Sequence, residues 1–163
     1  MAVAARIEEV RNELTDVAER SRSAAELMQS VVKLLHDRML KYNWVGFYLL
    51  EPGAEPPVLV LGAFEGAMTP HTRIPLNEGI CGAAASSGQT VVVDDVNKDP
   101  RYLACSLETK SEIVVPVFAH GKIVGELDID SHFPAAFTPE HQTLVQYCAQ
   151  VVGQKMEASP AQP

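Results

Sequence analysis

Three cysteines and a short run of acids are the residues of this sequence best suited to chemistry. Cys81 lies between Ile80 and Gly82, where a small, Ala-rich stretch at residues 80–87 reads as a short helix after Gly79. The partial positive charge of a helix N-terminus favours thiolate over thiol, so Cys81 is a candidate nucleophile. Cys105 follows Tyr102-Leu103-Ala104 at a junction between loop and strand and is the second candidate. For each, the competing role is the commoner one of a small buried hydrophobe. Cys148 falls on the apolar stripe of the last helix and is assigned to the core.

Glu126, Asp128 and Asp130 alternate with Leu127 and Ile129, so strand geometry puts the three acids on one face. On the preceding strand Glu112 alternates with Ile113, Val115 and Val117. If the apolar sides match, Glu112 joins the acidic side, which requires an odd loop, such as a three-residue turn with Gly121 left-handed. A two-residue loop would put Glu112 opposite Ile129. Two fates are open to such acids. They can form a solvated sheet face, or line a pocket that binds a cationic group with raised carboxyl pKa values.

Other chemistries find less support. His36, His71, His120, His132 and His141 have no ligand spacing with one another or with cysteine, so no metal site is expected. Gly79-Ile80-Cys81-Gly82 lacks the Lys-Ser/Thr of a phosphate loop. The net charge of -8, with 13 Lys and Arg spread along 163 residues, disfavours nucleic acid and anionic membranes. Residues 1–6 have no basic-then-apolar pattern, so no signal peptide is expected, and no stretch is apolar enough for a membrane span. An odd number of cysteines then fits reduced thiols in the cytoplasm rather than a disulfide framework.

The elements that must position these residues follow from periodicity. A helix at about residues 4–20 carries Ile7, Val10, Leu14 and Val17 on one stripe and breaks near Ser21. Ser23 and Glu26 have capping-box spacing ahead of a second helix with Leu27, Val31, Leu34 and Leu35. Residues 43–50 read as a strand with Trp44, Gly46 and Tyr48 on one face and Val45, Phe47 and Leu49 on the other. A turn at 51–57 leads to a returning strand at 58–64, and 66–75 reads as loop. Residues 90–93 form a strand, 94–101 a polar loop, and 113–118 and 123–129 a hairpin. Thr138-Pro139-Glu140 starts the last helix. Consecutive hairpins imply an antiparallel sheet, with terminal helices on one face and the middle loops over a pocket on the other.

Read in order, several strings resemble one family: Asn43-Trp44-Val45-Gly46-Phe47-Tyr48, Arg73-Ile74-Pro75, Gly79-Ile80-Cys81-Gly82, Ala104-Cys105, Ser111-Glu112-Ile113-Val114-Val115-Pro116 and Leu127-Asp128-Ile129-Asp130-Ser131. The sequence resembles the free methionine-R-sulfoxide reductases, which are stand-alone GAF domains, over about residues 27–152. The resemblance implies an α+β fold with an antiparallel sheet of about six strands, and a homodimer. It divides the chain into a helical extension at 1–22, a GAF domain at 23–157 and a disordered tail at 158–163.

The resemblance also implies roles. Cys105 matches the catalytic cysteine and Cys81 a resolving one, while a second resolving position, two residues before Arg73, is His71 here. Glu112, Asp128 and Asp130 match pocket carboxylates, one protonated to polarise the sulfoxide oxygen and another holding the substrate ammonium. This matching moves those three acids, though not Glu126, to the pocket. Trp44 and Tyr48 would contact the methyl and sulfur end. No cofactor is implied beyond an external thiol reductant such as thioredoxin. His71 in place of a cysteine motivates an alternative, a non-catalytic GAF module that binds a small molecule.

Overall fold

The computed structural model describes residues 2–103 and 107–158. Cys105 and the tail from residue 159 onward lie outside the described residues. Helices α1 (Ala2–Arg20) and α2 (Ala24–Arg38) come first, then strands β1 (Trp44–Leu50), β2 (Val58–Glu65) and β3 (Arg73–Pro75). Helix α3 (Gly79–Ser87), β4 (Val91–Val93) and a 3-10 turn (Val96–Lys98) lead to β5 (Ser111–Ala119), β6 (Lys122–Ser131) and α4 (Pro139–Ala158).

The six strands form one antiparallel sheet in the order β3-β2-β1-β6-β5-β4. Helices α1, α2 and α4 enclose one core against it, built on Val45, Phe47, Ile113, Val115, Leu127 and Ile129. The opposite face carries a second cluster with Trp44, Tyr48, Ile74, Ile80, Cys81 and Val114. The expected fold is therefore observed, including the division of the β1 residues between its two faces. Among the described residues, no helix is long and apolar enough to cross a membrane.

Local chemistry accounts for the boundaries. Ser23 Oγ accepts from the Glu26 N–H at 3.1 Å, which is the first half of a capping box, while the Glu26 carboxylate accepts from the Arg22 N–H, one residue before the N-cap amide that the box would use. Arg73-Ile74-Pro75, expected as loop, is instead an edge strand pairing Ile74 with Leu59. Three residues are too few to display a period, and Pro is tolerated at a sheet edge.

The hairpin between β5 and β6 corrects the expected turn. It is closed by two residues, His120 and Gly121, both with positive φ, the geometry of a type I′ turn. A two-residue loop alone would set Glu112 against Ile129. Instead the register shifts between Val117 and Phe118: Phe118 faces Ile123 while Val117 faces Gly125, so Val124 is the extra residue of a bulge. Beyond it Glu112 pairs with Asp130 and Ile113 with Ile129. The turn has two residues rather than three, and the bulge restores the alignment of the acids.

Candidate active site

Strand pairing stacks the site in rows. Trp44 on β1 is opposite Asp130 on β6, which is opposite Glu112 on β5. The next row is Gly46, Asp128 and Val114, and the third is Tyr48, Glu126 and Pro116. All four acids therefore point to the face that carries Trp44 and Tyr48. They are not solvated: Glu112 is 5% exposed, Asp128 and Asp130 3%, and Glu126 0%. Covering layers from α3 and the 66–72 loop remove the water that an open sheet face would offer.

Helix α3 brings Cys81 onto this wall. Gly82 lets the helix pack against the backbone of residues 75–76 that leads into it, since a Cβ there would meet the Leu76 carbonyl oxygen at 2.8 Å. The Cys81 thiol donates to Asp128 Oδ2 at 3.5 Å. The sequence suggested a thiol acidified by the helix terminus, and the structure reverses that. Burial, then the charges of Asp128, Glu126 and Glu112, push the Cys81 pKa well above its ordinary value. Three nearby carboxyls and the loss of water outweigh half a charge at a helix end.

The acids are displaced the same way. Burial is the leading cause for each, and it raises Glu112, Glu126, Asp128 and Asp130 above the usual carboxyl range. The Asp128 charge raises the other three further, while hydrogen bonds from Glu112 and Cys81 oppose the shift at Asp128 itself. Carboxyls this close, away from water, resist ionising together.

Aromatic side chains border the acids. Trp44 lies over Gly46, stacks on Phe64 at 5.8 Å between centroids, and donates from Nε1 to the Ala67 carbonyl at 3.0 Å. The Tyr48 hydroxyl donates to the His71 carbonyl at 2.7 Å. Both bonds tie the 66–72 loop to β1. A cavity of about 20 Å³ lies beneath this loop, lined by Tyr48, His71, Ile74, Gly79, Ile80, Cys81, Leu103, Glu112 and Asp128. An adjoining cleft of about 280 Å³ shares Trp44 and Asp130 with the wall and includes His36, Asn43, Thr109 and His132. A groove of about 410 Å³ between β5 and α4, lined by Phe118, Gln146, Gln150 and Gln154 among others, contains no cysteine.

Of the residues singled out in the sequence, Trp44, Tyr48, Cys81, Glu112, Asp128 and Asp130 meet on one face, and Cys105 lies outside the described residues. Cys148 is fully buried in the helical core, and burial pushes its thiol up to about 12. Glu126, set apart in the sequence, is as enclosed as the others. Its alternation with Leu127 was the available signal, but alternation does not reveal what covers a strand. Donor atoms of Cys81, Glu112 and Asp128 lie within 4.8 Å of one another, a cluster drawn from three separate elements.

Comparison with known proteins shows the family to which the chain belongs. Residues 23–156 match the GAF domain family. The chain is 41% identical over 119 residues to a free methionine-R-sulfoxide reductase of Escherichia coli (strain K12), covering 72% of this chain and 69% of the relative. It is 47% identical over 89 residues to a free methionine-R-sulfoxide reductase of Saccharomyces cerevisiae, covering 54% and 48%. The solved free methionine-R-sulfoxide reductase from Neisseria meningitidis, in complex with its substrate, superposes with a TM-score of 0.88 at 35% identity, over 95% of this chain and 90% of that one. The chain belongs to the GAF domain family and, within it, to the free methionine-R-sulfoxide reductases, a family of oxidoreductase enzymes.

Proposed function

We propose that this chain reduces free L-methionine-R-sulfoxide to methionine, with Cys105 as nucleophile. The observation that carries the reading is the buried wall of carboxyls facing Trp44, Tyr48 and Cys81, in a chain of this family. Leu103, two residues before Cys105, borders the same cavity.

The Cys105 thiolate attacks the sulfoxide sulfur. Glu112, its carboxyl pKa raised by burial, gives a proton to the oxygen of the resulting adduct; the oxygen then passes to Cys105 Sγ as the S–O and Sγ–S bonds to the substrate sulfur break, leaving sulfenic acid on Cys105 and releasing methionine. The Cys81 thiol then displaces water from the sulfenic acid, giving a Cys81–Cys105 disulfide. An external dithiol of the thioredoxin type supplies two electrons and two protons to reopen it. Asp128 and Asp130 hold the substrate ammonium, and Trp44 and Tyr48 hold the methyl and sulfur end. The reading includes a cytoplasmic homodimer.

The test is methionine production from methionine-R-sulfoxide and dithiothreitol. Cys105→Ser is expected to reduce it to background. Turnover unchanged in that variant, or none in the wild type, overturns the reading. Binding without turnover, insensitive to Cys105→Ser, would instead favour a sensor module, which His71 at the second resolving position would suit. Mass spectrometry after a single turnover is expected to find Cys105 joined to Cys81.

A further inference from the structure

Several acceptor oxygens of the acidic wall have no donor among the described residues. Asp128 is 3% exposed, yet its Oδ1 finds no hydrogen-bond partner among the described residues. Asp130 Oδ1 and both oxygens of Glu126 are in the same state. Buried polar atoms are ordinarily satisfied, so each orphan calls for a ligand.

Asp128 also lines the cavity of about 20 Å³ together with Glu112 and Cys81. That volume suits one small occupant, since a single water needs roughly 10–15 Å³. One donor atom from each of the three residues lies within 4.8 Å of the other two, and Cys81 Sγ stands 3.5 Å from Asp128 Oδ2. In a tetrahedral zinc site, with Zn–S about 2.3 Å and Zn–O about 2.0–2.2 Å, neighbouring sulfur and oxygen ligands are separated by about 3.5 Å.

We propose that Cys81, Glu112 and Asp128 form a binding site for one divalent cation of the zinc class. The donor set selects the metal. Calcium takes six to eight oxygens and magnesium keeps an octahedral shell with several waters, and a tight site with a sulfur ligand offers neither. One thiolate with two carboxylates suits zinc. The cation replaces the protons of the thiol and the two carboxyls, and its charge removes the repulsion that otherwise keeps these acids from ionising together. A sulfur bound to metal cannot enter a disulfide, so metal and thiol chemistry at Cys81 exclude each other. The site draws on side chains that the proposed sulfoxide reaction also uses, so a bound cation and turnover exclude each other, while the cobalt titration and the turnover assay test the two readings separately.

The full chain, reduced and kept free of oxygen, is titrated with Co²⁺ as a spectroscopic probe. A thiolate-to-cobalt charge-transfer band in the near ultraviolet is expected, saturating at about one equivalent and bleached by Zn²⁺. Cys81→Ser should abolish the band, and Asp128→Asn should weaken Co²⁺ binding about tenfold or more. Cys148→Ser, in the opposite core, should keep it. Absence of the band in the wild type, or its survival in Cys81→Ser at equal affinity, overturns the proposal. Protection of Cys81 in the wild type needs no variant: Zn²⁺ should slow its alkylation, read by peptide mass spectrometry, and an unchanged rate counts against the site.

Discussion

Glu126 and Asp128 stand two residues apart on β6, and both are buried. Burial raises both carboxyls in the fold, whereas the unfolded chain ionises them at about pH 4. Over the interval between the two values the native state therefore binds more protons, and stability falls as pH rises. The contribution is complete below the unfolded pKa and is lost on passing the folded one. His141 acts in the opposite sense: burial and Lys41 lower its pKa, so its contribution is lost as pH falls below about 6.5. Glu126→Gln removes one titrating group from the wall. Thermal melts from about pH 5 to about pH 8 should show a flatter decline than the wild type, by at most about 1.4 kcal/mol per pH unit, the limit for one proton. An identical slope would mean that Glu126 ionises alike in both states.

Among the elements, β1 has the narrowest tolerance on its site face. The Trp44 indole lies where a Cβ on Gly46 would be, and a Cβ on Gly66, at φ +126, would stand 2.8 Å from Trp44 Cδ1. Two glycines thus set the plane of the ring, which the Ala67 carbonyl then fixes through Nε1. Gly46→Ala should leave the strand paired but push the indole off its seat, with an overpacking cost of about 1–3 kcal/mol. Because Trp44 is the single tryptophan, its fluorescence reports the displacement directly. A KM raised about tenfold or more for methionine-R-sulfoxide, with kcat less affected, would accompany it. Unchanged emission and unchanged KM would show that the two glycines do not position the ring.

At the scale of the whole molecule, the sheet separates a packing face from a chemical face. Val10 and Leu14 of α1 are fully buried and belong to the same core as α2 and α4. Truncation of residues 1–22 should therefore cost about 3–6 kcal/mol from those two side chains, at about 1.5–3 kcal/mol each. It should lower the urea midpoint accordingly. The site lies across the sheet, so the KM of the shortened chain is expected to hold wherever it remains folded. A truncated chain with the wild-type midpoint would show that α1 adds nothing to the core.

Local pattern in the sequence was enough for the alternation of Trp44, Gly46 and Tyr48 with Val45 and Phe47, the start of α2 at Ser23 and the common side of Glu126, Asp128 and Asp130. Period and capping are properties of a few consecutive residues, so they are legible without a fold. The motif order also located the chain in its family. Only the tertiary structure decided that the acids are buried, that Glu126 is buried with them, and that the Cys81 thiol is raised rather than lowered. Each of these depends on what α3 and the 66–72 loop bring from elsewhere in the chain. The bulge at Val124 and the three-residue strand β3 were hidden for a related reason: one extra residue, or three paired ones, leave no periodic trace. A pKa, a register and an enclosed cavity come from neighbours in space, and those neighbours are assembled only when the sheet closes against its two covering layers.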